Sequence, residues 1–255
     1  MSLSDHIHIA LLEKATPEKI PLLMKYFKVV PWGYGEGDMF LGVTVPDQRA
    51  IAKQFWKQAT LEDIRELLIS GVHEHRLTAL FLLIHQYEAV KKDKVLSAEK
   101  KLQQQKTYID FYLTHLSRVN NRDLVDISAP RLLGDWIVQR GDLSYLEQLS
   151  TSPTLRQQRV SVLATFPLIR SGEYAPTLRL AVYFLKHPHD LMHKAVGWML
   201  REIGKKEKTV LLNFLSEHSR EMPGVMLSYA MEHLSAEEKI FFRSSRTSKT
   251  SLTEK

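Results

Sequence analysis

The stretch "HEHRLTALFLLIHQYEAV" (residues 73–90) decides how this sequence folds. Leu77, Leu80, Phe81, Ile84 and Tyr87 recur three and four residues apart, the spacing that lines one face of an α-helix with apolar groups. The same spacing returns in "KTYIDFYLTHLSRV" (106–119), with Tyr108, Phe111, Tyr112 and His115. It returns again in "MHKAVGWMLREI" (192–203), with Met192, Ala195, Val196, Met199, Leu200 and Ile203. Short polar breaks such as "RGDLS", "STSPT" and "KHPHD" separate these segments with residues that end helices and make turns. There is no convincing run of alternating strands, so the pattern predicts an all-α fold. The helices come in pairs that recur roughly every 35–45 residues. This predicts a HEAT-like or ARM-type α-solenoid of stacked antiparallel helix pairs with a concave basic face. An up-and-down bundle would not need so many short helices. The expected layout is one repeat domain over residues 1–242 and a disordered basic tail over 243–255, where apolar residues almost vanish.

The chain of 255 residues is long for one compact core but ordinary for an elongated helical domain. Lysine and arginine exceed aspartate and glutamate by 35 to 29, and the net charge of +6 favours a polyanionic partner. With no cysteine, disulfides, thiol catalysis and cysteine-ligated zinc are excluded. The opening "MSLSDHIHIALLEKA" shows no signal peptide, and no apolar run reaches the length of a membrane span. A cytoplasmic protein is expected.

Three stretches imitate chemistry. "GYGEGD" (33–38) has alternating glycines, but no strand precedes it and no Lys-Ser or Lys-Thr pair follows, so it predicts a flexible turn between helices. "HDLMH" sets His189 and His193 one helical turn apart, without the glutamate or third ligand of a zinc site. "HEH" (73–75) points its two histidines to different sides of a helix. Both histidine sets are expected at the surface, and no metal is expected.

Other residues stand out against their helices. On a wheel of about 100° per residue, Trp198 lies off its apolar stripe, beside Gly197 and flanked by Lys194, Arg201 and Lys205. Such a face suits a phosphate–sugar backbone, and a tryptophan packed on the next helix pair explains it equally well. Arg159 projects from the stripe of Leu155, Val162, Leu163 and Phe166, and so needs a carboxylate, a carbonyl or a ligand phosphate. In "NNRDLVD" (120–126), Asn120 or Asn121 caps a helix, Asp123 complements its dipole, and Asp126 lies one turn beyond Arg122. Asp126 is the better candidate for chemistry.

Together, "YFK", "YGEGDMFLGVTVPDQRAIAK", "HEHRLTALFLLIHQY", "NNRDLVDISAPRLLG", "QQRVSVLATFPLI", "KAVGWMLREIGK" and "MLSYAMEHL" resemble the DNA alkylation repair glycosylases of the AlkD-type, HEAT-like class. The likeness runs to about residue 240. It implies a monofunctional enzyme that hydrolyses the N-glycosidic bond of cationic N3- or N7-alkylated purines in duplex DNA. By motif, Asp126 corresponds to the catalytic aspartate, and Trp198 to a tryptophan near the damaged nucleotide's backbone. Arg159 corresponds to a backbone-contacting arginine, and Tyr26 to an aromatic that helps hold the lesion. The resemblance implies no cofactor and no metal; duplex DNA is the expected partner of a monomer. Where the family usually reads "NNWDLVD" or "WWDTVD", Arg122 replaces the cleft tryptophan, and Gly224 and Ser228 stand where relatives often carry arginines. Arg122 has three options: to pair with Asp126, to stack on the sugar, or to grip a phosphate. The alternative is therefore a non-catalytic relative that binds bent, damaged or branched DNA.

Overall fold

The structure, a computed structural model, describes residues 1–31, 33 and 35–247, with the side chains of 245–247 excepted. Among these residues there is no strand, only a lone backbone bridge between Met39 and Val72. The protein is all-helical, and its neighbouring helices pair as in a HEAT-like solenoid. No helix of the described residues is long and apolar enough to cross a membrane.

The chain divides into two compact units, residues 1–136 and 137–255. Unit 1 runs through α1 (Leu3–Leu12), α2 (Ile20–Tyr26), α3 (Val45–Phe55), α4 (Leu61–Ile69), α5 (His73–Lys92), α6 (Ala98–Thr114) and α7 (Arg122–Ala129). A π-helical turn, Pro130–Gly134, leads into α8 (Asp135–Arg140). Side-chain caps start several helices: Ser2 with Asp5 and Thr60 with Asp63 form reciprocal capping boxes, and Thr44 and Ser97 each accept a backbone N–H.

Helix α5 is the axis of unit 1. Every residue from His73 to Ile84 is buried, because α3 and α4 cover it on one side and α6 and α7 contact it elsewhere. The expected stripe of Leu77, Leu80, Phe81, Ile84 and Tyr87 is indeed inside, but so is the opposite face. In α6 the buried line is Gln105, Ile109, Tyr112 and then Leu116. Tyr108, Phe111 and His115 are only partly covered. The stripe is thus turned from its expected position, with Tyr112 fixed by a 2.9 Å bond between its hydroxyl and Ser128 Oγ.

Unit 2 comprises α9 (Ser144–Ser150), α10 (Leu155–Leu163), α11 (Phe166–Ser171), α12 (Ala175–Tyr183), α13 (Asp190–Lys206), α14 (Lys208–His218), α15 (Gly224–Ala230) and α16 (Ala236–Thr247). Its axis is α13, which packs on α10, α11, α12, α14 and α15. The buried line of α13 contains all six expected residues, together with Leu191 and Gly197. Gly197 serves packing, not a nucleic-acid surface: a Cβ there would lie 2.5 Å from the Met226 carbonyl oxygen. The tail expected to be disordered is helical through Thr247, and residues 248–255 lie outside the described residues.

Candidate functional site

Within the stretch read as a flexible turn, Gly33 and Gly35 are packed closely against preceding backbone. Gly35 sits where a Cβ would lie 2.4 Å from the Phe27 carbonyl oxygen, so only glycine lets the chain fold back on itself here. The fold-back delivers Asp38 into the interior, where it is 5% exposed. Its Oδ1 accepts from Arg76 Nη2 at 2.6 Å and from Asn120 Nδ2 at 3.0 Å. Its Oδ2 accepts from Asn121 Nδ2 at 3.1 Å and from His73 Nδ1 at 3.4 Å. The far nitrogen of His73 reaches Asp123 Oδ2 at 2.8 Å. An imidazole that donates from both nitrogens is protonated. Burial works against that charge, but the bonds to Asp123 and Asp38 prevail and raise His73 to about 9. Burial likewise opposes the Asp38 charge, and His73, Arg76 and the two asparagines prevail, holding it at about 2.

This network fixes the start of α7. Asn121 caps it by accepting from the Arg122 N–H at 2.8 Å, while its amide is anchored on Asp38. Glu74 pins the adjoining chain by accepting from the backbone N–H groups of Leu41, Gly42 and Val43 at 2.8–3.3 Å. The "HEH" histidines are therefore not surface residues. His73 is in the network, and His75 is buried between His8 and Ser70, at 2.9 Å from each. Burial, with help from His8 and Arg76, pushes His75 down to about 4.

Asp126 is half-buried on α7, one turn beyond Arg122 and three residues from Asp123. Arg122 has its guanidinium carbon 4.3 Å from the centroid of the Tyr26 ring, a cation–π contact. Tyr26 itself, at the end of α2, is 57% exposed. Asp123, expected only to complement the helix dipole, is the partner of a buried cation.

In unit 2, Trp198 is half-buried, with Phe166 6.3 Å away between ring centroids. Its Nε1 donates to Glu202 Oε1 at 3.0 Å. The flanking cations are engaged as well: Lys205 binds Glu202 at 2.8 Å, Arg201 binds Glu202 and Glu232, and Lys194 binds Asp190 at 2.9 Å. Burial would raise the Glu202 carboxyl, but Lys205, Trp198 and Arg201 together hold it below the ordinary range. Arg159 is 6% exposed, and its Nη1 donates to the Leu191 carbonyl in the first turn of α13, one of the three partners its position called for. His189 caps α13 and His193 bonds the His187 carbonyl; both are partly exposed. Among the described residues no group of three or more metal donors occurs.

The model of the DNA alkylation repair enzymes matches residues 7–234, nearly the whole chain. The chain belongs to the DNA alkylation repair enzyme family. A solved structure, described as a predicted DNA alkylation repair enzyme from Enterococcus faecalis, superposes with a TM-score of 0.66 at 15% identity. The superposition covers 88% of this chain and 98% of that one. At that identity the likeness shows the shared fold. No curated protein gives a significant match.

The residues that sequence reasoning missed are Asp38, His73 and Arg76. A signal was present: an arginine and a glutamate, Arg76 and Glu74, lie in the stretch 73–90 that carries the apolar stripe and need partners if buried, by the argument that singled out Arg159.

Proposed function

We propose that this family member is a monofunctional glycosylase that releases cationic N3- or N7-alkylated purines from duplex DNA. The observation that carries this reading is the division of labour on α7. Asp123 is bound to the buried His73, and Arg122 lies against Tyr26. On this reading the structural role belongs to Asp123 and the chemistry to Asp126, the aspartate to which the family motif corresponds. Alkylation gives the base a positive charge, so it departs as a neutral molecule and needs no general acid. What remains is to stabilise an oxocarbenium-like sugar and to orient water, and one rigidly held carboxylate does both. The buried anchoring of α7 through Asn121 and Asp38 supplies that rigidity. Trp198, with Arg201 and Lys205, is the proposed surface for the DNA backbone, phosphates competing with Glu202 for the two cations.

A specific observation favours a second reading, the non-catalytic DNA binder. The positive charge of Arg122 lies on Tyr26, the aromatic assigned to holding the lesion, where it repels a cationic base. Incubation with methylated duplex DNA separates the two. Release of 7-methylguanine that falls on Asp126→Asn supports the glycosylase. Salt-sensitive binding without release supports the binder.

A further inference from the structure

Unit 1 carries a cluster of cations where α3, α5 and the π-helical turn meet. Phe81, His85, Glu88 and Lys92 follow one another at helical spacing on α5, and Arg49 and Lys53 stand one turn apart on α3. The two rows are tied together. Gln86 Nε2 donates to the Trp56 and Ala59 carbonyls at 2.9 and 2.5 Å, and the Arg49 guanidinium carbon lies 4.3 Å from the Phe81 ring centroid. Arg131, from the π-helical turn, closes the cluster by donating to Glu88 Oε1 from Nη2 at 2.7 Å and from Nε at 3.1 Å. Lys92 reaches the same carboxylate at 3.5 Å. His73 lies a dozen residues back along α5, about 18 Å of helix, so this cluster is separate from the Asp38 network.

Charge in the cluster does not balance. Arg49, Lys53, Arg131 and Lys92 are four cations against Glu88, an excess of three positive charges. Among the described residues Arg49 and Lys53 have no carboxylate partner, and neither ring nitrogen of His85 has a hydrogen bond. Burial, and after it Arg131, Arg49 and Lys53 against the pull of Glu88, hold His85 below the ordinary imidazole range. Arg131 also acts on Arg49, whose guanidinium is partly covered by Phe81. Like charges held this close repel, and a doubly charged anion between them relieves more of that repulsion than a singly charged one. Guanidinium groups suit phosphate oxygens, to which they donate in pairs.

From these features we infer that the cluster is a binding site for a phosphate monoester dianion. Arg49 and Arg131 hold its oxygens, Lys53 adds charge, and His85 donates to it after taking up a proton. The dianion is either a free phosphate compound or the phosphorylated 5′ end of a strand, which share this chemistry. The inference uses neither Asp126 nor any glycosylase chemistry, so it stands or falls separately from the proposed function.

NMR titration of the full chain, read at the His85 imidazole, tests it. Sulfate is the first probe, because it has the shape of phosphate and stays a dianion at every pH used. Saturating sulfate should raise the His85 midpoint by about one pH unit, equivalent to about tenfold tighter binding to the protonated protein. At mildly alkaline pH, inorganic phosphate should bind about tenfold more tightly than dimethyl phosphate, a singly charged diester. Arg49→Gln, shown by thermal melts to be folded, should weaken phosphate binding about tenfold. Duplexes that differ only in a 5′-phosphate or a 5′-hydroxyl then assign the source: preference for the phosphate places the dianion on a strand end, and equal binding places it on a free compound. Three outcomes overturn the inference: no movement of the His85 midpoint at tens of millimolar sulfate, dimethyl phosphate binding as tightly as phosphate, or affinity unchanged in folded Arg49→Gln.

Discussion

Asp38→Asn tests whether the buried ion pairs hold the site in place. The change keeps the shape of the side chain and removes its charge. Arg76 and His73 then share no carboxylate, and one amide hydrogen is turned toward groups that are themselves donors. Side chains of Asp38 and Arg76 are each 2% exposed, so solvent cannot compensate. Breaking a buried pair from one side costs about 3–5 kcal/mol. With a urea dependence of about 2 kcal/mol/M, the unfolding midpoint should fall by about 1.5–2.5 M. Adding Arg76→Met removes the stranded cation and should restore much of the loss, since a buried pair exchanged for apolar groups is often neutral. Because Asn121 caps α7 from Asp38, the single variant should also lower any activity that depends on where Asp126 stands. A midpoint shift below about 0.5 M would refute the claim that this network is what anchors α7.

Further outcomes follow from the same geometry. His73 titrates at about 9 in the folded protein against 6.5 when unfolded, so its stabilisation is complete below 6.5 and is lost as pH rises through 9. The unfolding midpoint should decline across that window, and His73→Gln should flatten the decline. Gly197→Ala places a Cβ 2.5 Å from the Met226 carbonyl oxygen and 2.6 Å from Tyr229 Cβ. Overpacking of about 1–3 kcal/mol should outweigh the better helix propensity and appear as a lower melting temperature. Glu202→Gln releases Arg201 and Lys205 from a shared carboxylate. Duplex DNA should then bind more tightly, with a salt slope steeper by roughly one to two ions, as read by anisotropy over a range of salt concentrations.

How much of this was legible depended on exposure. Helix α13 keeps one face in solvent, so its apolar residues form a stripe, and the wheel found all six. Helix α5 is covered all round, and no stripe can describe a helix whose every face is buried. In α6, aromatic character pointed to Tyr108 and Phe111, but Gln105 and Ile109 take the interior. Trp198 was poised between a surface and a packed reading, and it is half of each, touching Phe166 while partly open. Asp126 and Arg122 were singled out from one local motif, and Tyr26 from the family resemblance. The network that supports them joins Asp38, His73 and Asp123, residues 35 to 85 positions apart, and only the tertiary fold brings such groups together. Even so, Arg122 was legible only as a choice among Asp126, a sugar and a phosphate, and Tyr26 was not among the partners considered.

The central claim is that Asp126 performs the chemistry while Asp123 holds the structure. Single-turnover release of 7-methylguanine from methylated duplex DNA, measured for the protein and for Asp126→Asn with folding checked by circular dichroism, tests it most directly. Loss of a preorganised electrostatic partner of a cationic transition state should slow release by about 10²–10³-fold. Equal release by both proteins, or none above the spontaneous rate from either, would contradict the account.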